Sequence, residues 1–235
     1  MPDPIPFRPR QAPPGQGAPG RPPSGRRLPV ATVLIGLVLV AGYLWQSGLG
    51  VYGEAAVVRA YGLIPAELFG LRSGNPAFDG PPPIATLVTA QFLHGGMLHL
   101  LGNVVAILLA GILVERRAGS LRSLLVFFGA GIVGLAVEAA AEPGSSAPII
   151  GASAGAAGLI GAVLRLDPRG HVSIPWLRGG GIKLASVAVM PLIVVWLILQ
   201  VAGIAFGAGE PVAFLAHGAG FVAGVLLAGG ARRAA

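Results

Sequence analysis

Pro148-Ile-Ile-Gly151-Ala-Ser153-Ala-Gly155-Ala-Ala-Gly-Leu-Ile-Gly-Ala-Val-Leu164 is an apolar, small-residue run interrupted by a single hydroxyl. A run of this kind reads as a helix in lipid, where backbone N–H and C=O groups must find partners within the segment. Polar side chains are expensive in hydrocarbon and default to functional candidates, which singles out Ser153. The pattern recurs twice along the chain. Phe214-Leu-Ala-His217-Gly-Ala-Gly220-Phe221 buries a histidine in another apolar helix, and a third segment carries His99 and Asn103 one helical turn apart.

The rest of the chain agrees with a membrane setting. Its 235 residues are 54% hydrophobic and 11% charged, with a mean hydropathy of +0.78, whereas a soluble domain is about one-quarter charged. There is no cysteine, hence neither a disulfide framework nor thiolate chemistry. Apolar segments at about 30–48, 93–114, 121–141, 148–164, 182–206 and 211–230 predict an all-α membrane protein, a six-transmembrane-helix bundle. The fourth is short for a crossing. The bundle occupies residues 29–231 as one domain. Before it, residues 1–28 are rich in Pro, Gly and Arg, a composition that cannot bury a core and reads as a disordered tail. Arg26-Arg27 ahead of the first run resembles a signal-peptide start, but no small-residue cleavage site follows, so the run reads as an uncleaved span. A basic tail, residues 232–235, closes the chain.

Charge distribution sets the orientation. All but Arg59 and Arg72 of the 16 Lys and Arg fall on one side of the predicted spans, before the first, in the second-to-third and fourth-to-fifth connections, and after the sixth. Glu54, Glu67, Asp79, Glu138, Glu142 and Glu210 fall on the other side. The positive-inside rule therefore predicts cytoplasmic N- and C-termini in the cell (inner) membrane. The net charge of +7 is topological, which argues against a nucleic-acid partner. The long outer connection, about 49–92, carries Tyr61, Phe69, Phe78 and Pro81-Pro82-Pro83, and reads as a structured piece at the membrane interface.

With this topology the second, fourth and sixth spans all run inward. His99, Ser153 and His217 then lie about five or six residues below their outer ends, roughly 7–10 Å deep at 1.5 Å per residue, with Asn103 one turn deeper on the His99 face. Gly151 and Gly155 flank Ser153, while Gly220 and Gly224 follow His217 at the same spacing of four. Small-xxx-small faces let membrane helices approach closely. A serine hydroxyl needs a base to take its proton, His217 is the base candidate, and a tetrahedral oxyanion needs donors. His99, Asn103 and the Ser153 backbone N–H qualify as those donors.

In this order and on these spans, several motifs resemble the rhomboid family of intramembrane serine proteases in its basic six-helix bacterial form, over about residues 60–230. They are Thr86-x-x-Thr89-x-x-Phe92-x-His94, His94-x-x-x-x-His99-x-x-x-Asn103, Gly111-x-x-x-Glu115-x-x-x-Gly119, Gly151-Ala152-Ser153 and Ala216-His217-x-x-Gly220-x-x-x-Gly224. The resemblance implies Ser153 as nucleophile, His217 as general base, His99 and Asn103 at the oxyanion site, and Glu115 as a stabiliser of the cytoplasmic end. It implies transmembrane protein substrates, a site opening to the extracytoplasmic side, and no cofactor. Three positions depart from the family pattern. Ala154 follows the serine where glycine is usual, Ala157 stands where an aromatic packs on the histidine, and the first loop lacks a Trp-Arg pair.

Other readings of the same residues were weighed. His94 reads as a structural histidine at the loop end, and His171 as a solvated one. Gly151-x-Ser153-x-Gly155 with Asp167 and His217 mimics a nucleophile elbow, but an elbow follows a strand, and Asp167 is predicted a full span away. His94 and His99 would be about 140° apart on one helix, and no His-Glu-x-x-His occurs, which argues against a metal site. A transporter would also place polar groups at depth, yet no internal repeat of spans supports one. A rhomboid-like pseudoprotease that binds helices without cutting them stays open through Ala157.

Overall fold

Gly119 turns the chain at a one-residue corner. Its φ of +88° lies in the left-handed region that side chains with a Cβ disfavour, and it joins two long helices, α5 (Met97–Ala118) and α6 (Ser120–Ala141). The computed structural model describes residues 28–72, 80–178, 181–206 and 213–229. Residues 1–27 of the expected tail, the basic residues 232–235, and Phe78, Asp79, Glu210 and Pro211 lie outside them. The remaining elements are α1 (Val30–Gly48), α2 (Gly50–Tyr61), α3 (Pro65–Leu68), α4 (Thr86–Thr89), α7 (Ser153–Leu166), α8 (Val189–Phe206) and α9 (Phe214–Leu227). Among the described residues, α1, α5 and α6 are long and apolar enough to cross a membrane. This is a multi-pass membrane protein by its helices.

The helix that opens the sequence argument starts later than expected. Residues 148–152 are non-helical, with Ile149 bridging to Leu63, so Ser153 is the first residue of α7 rather than one and a half turns inside it. At 14 residues each, α7 and α9 span about 21 Å. The fifth predicted segment also needs correction. Residues 182–188 do not begin a helix. Strand β1 (His171–Arg178) pairs antiparallel with β2 (Gly181–Ala188), Trp176 opposite Lys183, and α8 follows directly. Summed hydropathy does not distinguish a strand from the start of a membrane helix where apolar residues are dense. The fold is thus mostly helical with one hairpin, not all-α. His171 is exposed. The described parts of the outer connection hold α2, α3, α4 and two single 3₁₀ turns, Pro83–Ala85 and Ala90–Phe92.

Helix α7 is the buried centre, and glycines set its distances. A Cβ on Gly220 would strike the Ala154 carbonyl, one on Gly224 the Gly158 carbonyl, and one on Gly161 the Phe221 carbonyl, so α7 and α9 touch backbone to backbone. Gly155 faces α6 instead, where a Cβ would lie 2.7 Å from the Phe127 carbonyl oxygen. The C-terminus of α9 is capped by two arginines from neighbouring helices. Arg122 donates to the carbonyls of Leu227 (3.2 Å) and Ala228 (2.9 Å), and Arg165 to that of Gly229 (2.9 Å). Cations at that end also suit the helix dipole.

At the α5–α6 corner, Glu115 is 6% exposed. Its carboxylate accepts from the backbone N–H groups of Ala31 (2.9 Å) and Thr32 (2.8 Å) and the hydroxyls of Thr32 (2.7 Å) and Ser120 (2.6 Å). It thereby caps α1, whose preceding residue Pro29 offers no side-chain cap. Replacing Glu115 by alanine strands these donors, and unfolding of the purified protein in detergent should show a loss of about 3 kcal/mol.

Candidate active site

Helix α7 presents Ser153 because the chain before it can turn only at a glycine. Gly151 has φ +123°, donates its N–H to the Ala90 carbonyl (2.9 Å), and lies against the imidazole of His99. A Cβ at residue 151 would come within 2.8 Å of both Cε1 and Nε2 of that ring and within 3.8 Å of Nδ2 of Asn103. His99 and Asn103, on the first two turns of α5, therefore converge on the backbone two residues before Ser153. Asn103 is 6% exposed, and its Nδ2 has no hydrogen-bond partner among the described residues. The backbone N–H groups at the start of α7 lack partners within the helix, as at any helix N-terminus.

His217 is the fourth residue of α9 and half-buried. The glycine contacts bring its helix to α7 at the level of the serine. Ala154, next to Ser153, and Ala216, next to His217, meet at Gly134 of α6, where a Cβ would collide with the Ala216 carbonyl and lie 2.8 Å from the Ala154 methyl. The same arrangement accounts for the first family departure. The methyl of Ala154 is accommodated because residue 134 has none.

The second departure has a counterpart too. Ala157 is fully buried and carries no ring. The imidazole of His217 is instead flanked by Trp196 of α8, with ring centres 6.3 Å apart and tilted 43°, and by Phe214, at 6.2 Å and 84°. Trp196 also stacks on Phe221, at 6.0 Å and 22°. Aromatic support thus comes from α8 and from within α9 rather than from α7.

His94 corrects another expectation. Because α5 begins at Met97, His94 precedes the helix, and its ring meets that of His99 at 5.2 Å in an edge-on arrangement rather than pointing 140° away. No third His, Cys, Asp or Glu joins them among the described residues. The His94 backbone is held at both ends by Gln46 of α1, which donates to its carbonyl (2.7 Å) and accepts from its N–H (3.2 Å). Gln46 donates as well to Glu54 of α2 (2.9 Å). Asp167 terminates α7 at the end opposite Ser153, about 20 Å away by helix length, and pairs with Arg117 at 2.9 Å.

A family model of the Rhomboid domain matches residues 82–233. The chain belongs to the rhomboid family. It is also similar to RHOMBOID-like protein 5 of Arabidopsis thaliana, 31% identical over 78 residues that make up 33% of this chain and 25% of that protein. The match thus spans about a quarter of the relative's length. In this rhomboid the residues that sequence reasoning missed are Gln46, Trp196 and Glu138. Glu138, expected among the charges on the outer side, accepts from the Ala216 N–H at 2.8 Å. Gln46 and Glu138 carried a usable signal, being polar residues within apolar helices. Trp196 carried none.

Proposed function

We propose that this rhomboid is an intramembrane serine endopeptidase that hydrolyses peptide bonds in or near transmembrane segments, using Ser153 as nucleophile and His217 as base. In this reading the chain crosses the membrane six times with both termini cytoplasmic, and the site opens to the extracytoplasmic side. The observation that carries the reading is the convergence at Gly134 and Gly151. The starts of α5, α7 and α9 meet there, α5 bearing His99 and Asn103, α7 Ser153 and α9 His217.

The chemistry follows from those positions. His217 takes the Ser153 hydroxyl proton as Oγ attacks the scissile carbonyl. The oxyanion receives hydrogen bonds from the Asn103 amide, His99 and the N–H groups at the start of α7. His217 then protonates the leaving amine, and water hydrolyses the acyl-enzyme. An apolar cavity of about 210 Å³ between α5, α7 and α8, walled by Ala106, Leu109, Val163, Ile193 and Trp196, suits side chains of an incoming helix. Trp196 belongs to both the cavity and the His217 surroundings.

Labelling with a fluorophosphonate probe tests the reading. The parent protein is expected to label and Ser153→Ala not to. Equal labelling of the two would remove Ser153 as the nucleophile. Ala157 favours a second reading, a pseudoprotease that binds helices. Cleavage of a model transmembrane substrate by the parent, abolished in Ser153→Ala, rules it out.

A further inference from the structure

Helix α9 must hold His217 still, yet it lacks a cap of its own. Ala213, the residue before its first turn, offers no side-chain acceptor, so its leading N–H groups need partners from elsewhere. One partner comes from α6. Oε2 of Glu138 accepts the N–H of Ala216 at 2.8 Å. One turn earlier on the same face, Gly134 leaves room for the Ala216 carbonyl. The i, i+4 pair Gly134 and Glu138 therefore seats residue 216, itself 1% exposed, with Glu138 binding its N–H and Gly134 leaving space for its carbonyl. The adjacent residue is His217, whose own N–H runs to the Ala213 carbonyl at 3.2 Å. Gly134 also receives the methyl of Ala154, the neighbour of Ser153. A single face of α6 thus sets the first turns of α7 and α9 relative to each other.

The energetic sense of the contact is favourable in both directions. A carboxylate within an apolar helix is costly unless compensated, and a helix N-terminus is where negative charge is stabilised. The contact places a backbone anchor one residue before the imidazole.

We propose that Glu138 is a positioning residue for the proteolytic reaction, fixing His217 against Ser153 through the backbone of Ala216. This rests on the protease reading above, and the test separates the two. The experiment measures kcat and KM for a model transmembrane substrate in liposomes, together with the fluorophosphonate labelling rate. Glu138→Ala is expected to lower kcat and labelling about tenfold, the scale of a lost helix cap or a modest misplacement, with KM within twofold. Glu138→Gln keeps an acceptor oxygen and stays within about threefold of the parent. The decisive variant is Glu138→Ala combined with Ala213→Asp, which provides an N-cap acceptor for the same first-turn N–H groups. It is expected to recover kcat. A Glu138→Ala protein with parental kcat, or a loss that neither Gln nor Ala213→Asp repairs, overturns the proposal. If Glu138→Ala alone does not fold, the double variant is read directly: parental kcat supports the anchor, and depressed kcat overturns it. Persistent labelling of Ser153→Ala would instead bring down the protease reading, whatever Glu138 does.

Discussion

His217→Ala and Ser153→Ala are each expected to reduce cleavage of a transmembrane substrate by at least about a thousandfold, and the double variant to be no slower than either. In the proposed mechanism the two side chains act on one proton, so once either is gone the other has nothing to do. Such non-additivity is the signature of a nucleophile–base unit. It separates that unit from two independently useful residues, whose losses would multiply. Residual turnover above the uncatalysed rate would come from the oxyanion donors, which both variants keep. The measurement is single-turnover kinetics of all four proteins with one substrate in liposomes. Multiplicative losses would place His217 outside the proton transfer even if Ser153 proved to be the nucleophile.

Gly151→Ala is expected to lower kcat about a hundredfold with little loss of helix content. Two separate costs meet at this residue. Its φ of +123° is one that alanine resists, and the added methyl would sit 2.8 Å from two atoms of the His99 ring. The nearest relief is rotation of His99 away from the site, or retreat of the residues that lead into Ser153. Either misplaces reacting groups by about an ångström, which is enough for a loss of this size. Far-UV circular dichroism beside kcat on the same samples checks both halves. A Gly151→Ala enzyme with parental kcat would mean that the contact with His99 is not maintained during turnover.

How much of this site could be read beforehand depended on contrast. Ser153, His99, Asn103 and His217 stand out because each is polar among apolar neighbours, and family motifs then assigned them roles. The same contrast was available for Glu138, but the positive-inside reading filed it as an outer charge, although it lies within α6. Trp196 gave no contrast at all, being one apolar ring in an apolar helix, and only the fold brings it to His217. Ala154 and Ala157 looked like defects, because a sequence displays what a position lacks and not which other helix compensates. Gly134 provides for the first and Trp196 with Phe214 for the second. Residues 182–188 read as the start of a span, although they form the second hairpin strand, because summed hydropathy favours a span wherever Ile, Leu and Val are dense. Helix starts erred for a related reason. Apolar residues continue outward past the last helical turn, so composition alone placed Ser153 deeper than its position at the head of α7.

The hydrogen bonds of Gln46 bear on what counts as the working unit of this protein. The family match begins at residue 82, yet the peptide of His94, at the entrance to α5, is clasped by a side chain from α1, and the first turn of α1 is in turn held by Glu115. The segment ahead of the matched region therefore supplies part of the frame on which His99 and Asn103 stand. A transplant or chimera cut at the boundary of family similarity would carry all four polar residues of the site and leave behind one of their supports. The natural seam for such a cut lies upstream of Val30.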